Sequence, residues 1–276
     1  MRRALPLVLA ALVCLAGCGG FTGSDPATDA ANPTPAAVPT DGPADDLPGL
    51  SASGITNATA LAAVNADALA NTSFTLRGNT TVVAANGTEL VDGSGVTRVS
   101  ANHSRSTARA SGGGLYTRPV DHPVTRTERW YNGTATLVRA VGPNETTYLV
   151  PPFAGRPERI PGAMESYYRP ERATSATVSA SEGTVTLRID VRPPASANAT
   201  FVDVPVSVTE QTVTVRMTDE GRVRGYRIDY VGHLATDPDV RVEATSRTRF
   251  TDVGETTVER PEWVSTARNG TVVTPG

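Results

Sequence analysis

Three histidines, His103, His122 and His233, are the obvious acid–base groups of this chain, and they lie far apart in sequence. A general base needs a partner that orients it within hydrogen-bond reach. Asp121-His122 places an acid beside a base, but next to Pro123 the pair reads as a loop dipeptide. Asp237-Pro238-Asp239 sets two carboxylates two residues apart. It lacks the glycine and the later glutamate of a calcium loop, so it reads as a turn. Gly112-Gly113-Gly114 is followed by no helical pattern and so makes no phosphate cradle. Gly-x-Ser-x-Gly, His-Glu-x-x-His, P-loop and Gly-x-Gly-x-x-Gly patterns are absent. The sequence therefore predicts no catalytic residue, no metal and no cofactor.

The remaining reactive group is a thiol. Met1-Arg2-Arg3 is a short cationic start, and the apolar run over 4–16 is too short for the roughly 20 residues that span a bilayer. Leu15-Ala16-Gly17-Cys18 ends that run and resembles the lipobox of secreted lipoproteins, whose chain is cut before Cys and whose sulfur carries lipid. Cys14 would leave with the leader, so no internal disulfide is expected. Asn-x-Ser/Thr occurs at Asn57, Asn71, Asn79, Asn86, Asn102, Asn132, Asn144, Asn198 and Asn269. These are possible glycan acceptors on an outward-facing protein.

Of the 276 residues 39% are hydrophobic, 5% aromatic and 19% charged, which is leaner in apolar and charged side chains than a typical soluble chain. The net charge of −3 gives no cationic field for phosphates, so nucleic acid is not an expected partner. Residues 1–17 read as a signal peptide. Residues 18–54 read as a lipidated cysteine and a tether, because Pro26, Pro33, Pro35, Pro39, Pro43 and Pro48 interrupt Ala, Thr and Asp. Such a tether reaches between roughly 35 Å as a coil and about 110 Å fully extended. One domain over 55–266 and a flexible tail over 267–276 complete the expected organisation.

Within the domain one segment has helical character: Thr56 or Asn57 as N-cap, Asn71 as C-cap, and Leu61, Val64, Ala68 and Leu69 on one stripe. Elsewhere period two dominates. Val185, Leu187, Ile189 and Val191 alternate with Thr186, Arg188 and Asp190, and Tyr226, Ile228 and Tyr230 alternate with Arg227 and Asp229. One dry face and one wet face mark antiparallel sheet. Asn86-Gly87, Asn132-Gly133, Glu182-Gly183 and Asp219-Glu220-Gly221 close hairpins. The apolar phase changes from Val204, Val206 and Val208 to Val213, Val215 and Met217, which predicts a bulge near Glu210. About ten strands follow one another as a meander, interrupted over 151–172, where a short helix is expected at 163–168. The fold expected is mainly β with some α.

Ten strands about 4.8 Å apart make a sheet nearly 50 Å wide, whereas one helix covers only about 10–12 Å. The sheet must curl round the helix and the central segment as a half-barrel or close into a barrel, and an apolar interior cavity is then possible. The aromatic and thioether side chains Trp130, Tyr131, Tyr148, Phe153, Met164, Tyr167 and Tyr168 gather around the irregular centre. Trp130, Tyr148, Phe153, Met164 and Tyr167 are the candidate pocket lining, with core and rim packing as the other role open to them.

The stretches VTVRMTDEG (213–221), YRIDY (226–230) and TRFTDVGETTVERPEW (248–263), with the lipobox, tether and leading helix, resemble a haloarchaeal family of secreted lipoproteins of uncharacterised function. More distantly the chain is similar to the LolA/LolB and LppX/LprG group. That resemblance implies a curved antiparallel half-barrel that wraps helices and meets lipid through apolar walls. The expected protein is a lipid-anchored lipoprotein on the extracellular face of the membrane, held by Cys18, which binds or carries a hydrophobic, lipid-like ligand. The alternative is a structural or adhesion module that contacts cell-wall or envelope proteins without a small-molecule ligand.

Overall fold

The computed structural model describes residues 46–112, 123–151, 157, 160–168, 170–193, 198–201 and 204–269. The stretch read as a signal peptide, Cys18, most of the stretch read as a tether, His122, Phe153 and residues 270–276 of the stretch read as a flexible tail lie outside them.

The described chain opens with a two-strand ribbon, β1 (Leu50–Ser51) and β2 (Gly54–Ile55), followed by α1 (Ala58–Leu69). Asn57 caps α1, its side-chain oxygen accepting from the Ala60 N–H at 3.0 Å. The cap at the other end is Ala70, one residue before the expected Asn71. Leu61, Ala62, Asn65 and Leu69 are its buried face; of the expected stripe, Val64 is only half-buried and Ala68 is exposed, and a small Ala62 and a polar Asn65 are buried instead. Leu47 and Leu50 are also buried in the core, although both lie in the stretch read as tether. Two isolated leucines among prolines show no period, and only their partners reveal them.

Six strands then run up and down as a meander: β3 (Phe74–Ala84), β4 (Glu89–Val99), β5 (Ser106–Ser111), β6 (Arg126–Tyr131), β7 (Thr136–Val141) and β8 (Thr146–Leu149). A 3-10 helix at Pro161–Tyr167 and a 3-10 turn at Pro170–Arg172 follow. The second series is β9 (Ala173–Ser181), β10 (Thr184–Val191), β11 (Asn198–Phe201), β12 (Val204–Thr218), β13 (Val223–Leu234) and β14 (Asp237–Thr251), and α2 (Trp263–Asn269) ends the described chain.

These strands form one antiparallel sheet in the order β8-β7-β6-β5-β4-β3-β14-β13-β12-β10-β9, with β11 added on β12. A simple meander in sequence order was expected. Instead the two series join through β3 and β14, Val82 facing Ala244 and Leu76 facing Phe250. Consequently β8 and β9, consecutive in sequence, stand at opposite edges of the sheet. The sheet is mainly β, antiparallel and unclosed, consistent with a curved sheet. The expected bulge is present: pairing of β12 with β13 slips between Val208 and Glu210. The Glu182-Gly183 turn takes φ of 47° and 68°, the left-handed pair that a two-residue hairpin requires.

One set of alternate residues is dry. Val185, Leu187, Ile189, Val213, Val215, Met217 and Phe74 are buried and pack with Leu61 and Leu69 of α1 and with Met164 and Tyr168 of the 3-10 segment. A second cluster, Val82, Ala84, Val91, Phe201, Val206, Val242 and Ala244, fills the other end beneath β11. We call this face concave and its opposite convex.

Candidate functional site

Between these two clusters the concave face is not filled. A trough of about 840 Å³ lies over β3–β7, β13 and β14, within the size range of ligand sites. Its floor is made of small residues in register across strands: Thr248–Gly78–Gly95–Ala110 in one row and Ser246–Thr80–Gly93 in the next. Gly78, Gly93 and Gly95 have no left-handed backbone. What they supply is the absence of a side chain, and with it depth.

Two walls of different chemistry bound the floor. On one side stand Tyr226, Ile228 and Tyr230 of β13, with Tyr167 from the 3-10 helix and Phe201 from β11. The Tyr167 and Tyr226 rings are 5.2 Å apart, as are those of Phe201 and Tyr230. Burial, and then the neighbouring Tyr226, push the Tyr167 phenol well above its ordinary range. Tyr230 is raised for the same reasons. Both remain neutral hydrogen-bonding groups at physiological pH.

On the other side stand Thr127, Arg129 and Val138. Arg129 is buried, faces Ala108 on one neighbouring strand and Val138 on the other, and shares its phase with Thr127 and Tyr131. Its sequence neighbour Glu128 occupies the convex face, where Arg126 at 3.0 Å and Arg139 at 3.2 Å hold the carboxylate. Arg109 and Arg247 border the trough as well, but they are exposed and alternation directs their side chains to the convex face.

The expected pocket residues are distributed differently from the sequence reading. Tyr167 lines the trough. Met164 is buried in the main core, and Phe153 lies outside the described residues. Trp130 and Tyr148 are a correction: they belong to the convex phase, paired with Leu137 and Arg139. There Tyr148 stacks on Trp263 of α2 at 6.2 Å, while Val264 and Ala267 are fully buried. In Thr127-Glu128-Arg129-Trp130-Tyr131 each phase carries a charge and an aromatic, so alternation alone does not say which side is wet. Sequence reading also missed the floor, for which Gly78, Gly93, Gly95, Ala108 and Ala110 at alternate positions were the available signal.

His103 is buried in a tight corner at φ 53°, edge-on to Phe74 with ring centres 5.5 Å apart and Nε2 3.3 Å from the Thr72 carbonyl. His233 pairs with Arg241 in the sheet. Among the described residues no three His, Cys, Asp or Glu side chains gather as a metal site, and no helix is long and apolar enough to cross a membrane. The sequon residues Asn57, Asn71, Asn79, Asn86, Asn102, Asn132 and Asn144 are all exposed.

Residues 3–267 match a family of unknown function, DUF7537. The chain belongs to that family. No curated protein matches it. The matched span contains the apolar run over 4–16, Cys18 and the proline-rich stretch after it as well as the residues that line the trough.

Proposed function

We propose that this member of the family is a secreted lipoprotein, anchored through Cys18 on the outer face of the membrane, whose curved sheet binds or carries a hydrophobic ligand without chemistry. The observation that carries this reading is the trough of about 840 Å³ between two packed cores. Its floor is cut low by glycine and alanine, and its far wall is aromatic. Covering such a surface with a guest removes apolar area from water at roughly 25 cal/mol per Å². The likeness to the LolA/LolB and LppX/LprG group supports the same reading, because an unclosed antiparallel sheet with helical cover is the architecture of that group. The short apolar leader ending in Leu15-Ala16-Gly17-Cys18 and the proline-broken tether support the address.

The test is mass spectrometry of the purified protein before and after extraction with organic solvent. A covalent lipid on Cys18 survives extraction, whereas a guest in the trough does not. Loss of a lipid-like mass on extraction, with rebinding of lipid probes, is the expected result. A protein that carries no extractable molecule and takes up no probe favours instead a structural or adhesion module of the envelope.

A further inference from the structure

The convex face carries a charge pattern that the trough does not use. Two adjacent rows of directly opposed residues cross it from β10 to β7. The first contains Arg216, Arg249, Arg77, Arg109 and Arg139, with Gly225, Val96 and Glu128 between them. The second contains Arg188, Arg227, Arg247 and Arg126, with Thr214, Asn79, Ser94 and Ser111 between them. β4 has no arginine in either row and places Arg98 in the row beyond the first. Eight strand spacings, about 38 Å, separate the ends of this stripe. On the far side of the second row the face turns acidic: Asp190, Asp229 and Asp92 share one row, and Glu210, Glu243 and Glu89 share the next.

Sheet stability does not ask for this arrangement. Arg249 stands directly opposite Arg77, and Arg227 directly opposite Arg247, and like charges so placed destabilise a sheet. Local acids answer part of the stripe. Glu128 holds Arg126 and Arg139, Asp190 holds Arg188, Asp229 holds Arg227, and Asp252 lies 3.7 Å from Arg77. Arg98, Arg109, Arg216, Arg247 and Arg249 are exposed and make no salt bridge among the described residues. The nearest acids to them are Asp229, which feels the charge of Arg247, and Glu128 and Glu259, which share a recess with Arg98 and Arg109. The whole chain carries a net −3, so the stripe is a separation of charge and not a reflection of composition.

We infer that the stripe docks a linear acidic polysaccharide, its carboxylates or sulfates on the guanidinium groups and its hydroxyls on the Thr, Ser and Asn side chains between them. A guanidinium offers paired N–H donors in the geometry that such anionic groups accept. A flexible chain can follow the outer face of a curved sheet, whereas a flat lipid surface meets that face only along its crest. Single-stranded nucleic acid needs aromatic platforms for its bases, and apart from Glu128 the residues between the arginines are hydroxyl, amide, small or aliphatic. The inference goes beyond the carrier reading and does not require the trough to hold a guest.

Fluorescence anisotropy with labelled oligogalacturonate, labelled dextran sulfate and labelled neutral dextran tests this on the intact protein. The protein is made in a host that adds no glycan to Asn79, a sequon residue within the second row. Both acidic chains are expected to bind at low salt and to weaken as salt rises, and neutral dextran is expected not to bind. Arg247→Gln with Arg249→Gln should weaken binding about tenfold, the worth of one charge-assisted pair. Arg241→Gln, at an exposed arginine of the same face outside both rows, should leave it unchanged. Should the double variant fold poorly, the wild type decides: bound polysaccharide must slow phenylglyoxal modification of Arg247 and Arg249 but not of Arg241. Binding of neither acidic chain overturns the inference, as does undiminished binding by the well-folded double variant. An equal effect at Arg241 overturns it too, since cations anywhere on the face would then serve. Stronger competition by phosphatidylglycerol vesicles or by poly(dT) than by dextran sulfate overturns the polysaccharide and gives the face to a membrane or a nucleic acid. Binding of only one acidic chain supports the inference and narrows the partner to carboxylated or to sulfated chains.

Discussion

The side chain of Asn65 accepts a hydrogen bond of 2.9 Å from the backbone N–H of Val223, although 158 residues separate them. Its amide nitrogen donates at 2.9 Å to the carbonyl of Pro161. One buried carboxamide in α1 therefore ties the helix to β13 on one side and to the 3-10 segment on the other, and so fixes the lid over the main core. Asn65→Ala would leave a buried N–H and a buried carbonyl unmatched. Denaturant unfolding should show a loss of about 2–4 kcal/mol. A loss below that of an exposed substitution would mean that the helix is held by its leucines alone.

Tyr168 presents the opposite case. It is fully buried, and its hydroxyl has no hydrogen-bond partner among the described residues. Removing an unmatched polar atom without changing the ring should help, so Tyr168→Phe is expected to stabilise by about 1 kcal/mol. A destabilised variant would show that the hydroxyl is satisfied in solution.

The same burial sets a response to alkali. Desolvation raises Tyr167, Tyr168 and Tyr230 above the ordinary phenol value. A group whose folded value is raised contributes stability that is complete below its unfolded value and is lost as pH climbs above it. Stability should hold up to about pH 10 and then decline. Unfolding midpoints measured from pH 8 to 11 check this, and Tyr168→Phe should flatten part of the decline. Constant stability across that range would mean that these phenols are not buried.

On the convex face, Trp263 of α2 stacks on Tyr148, with planes 28° apart. Trp263→Ala should cost about 1–2 kcal/mol, the worth of a partly covered aromatic and its stacking. The chain has two tryptophans, so Trp130 then reports alone. If α2 undocks, local opening should appear as faster amide exchange in β7 and β8 with the β10–β13 core still protected.

How much of this was readable beforehand follows the reach of the signal in each case. In β10, Val185, Leu187 and Ile189 showed which face is dry because every alternate residue is polar. The slip at Val208 to Glu210 was visible because valines on either side change parity. The cap at Asn57 is a local event and was legible for that reason. Alternation assigns a face but not a neighbour, so the pairing of β3 with β14 was hidden, and with it the separation of β8 from β9. Asn65 was invisible because its partners are backbone atoms far away in sequence. The trough was implied only by its cause, more dry strand surface than one helix covers. Its position needed the register that brings Gly78 opposite Gly95.

That register yields the sharpest test of whether the space is used. A Cβ built on Gly95 comes no closer than 3.4 Å to the Arg109 carbonyl, and its backbone is ordinary for any residue. A leucine there can therefore be accepted by the sheet while its side chain occupies the floor of the trough. If the trough is an unfilled core defect, Gly95→Leu should bury new apolar surface and raise stability by about 1 kcal/mol or more with no other effect. If it is a ligand site, the same variant should retain or gain stability in urea yet lose the extractable guest and the uptake of amphiphilic probes. Retention of full probe binding by a well-folded Gly95→Leu protein would place the guest elsewhere. Loss of binding together with unimpaired folding ties the guest to the glycine floor, since nothing else in the protein need change.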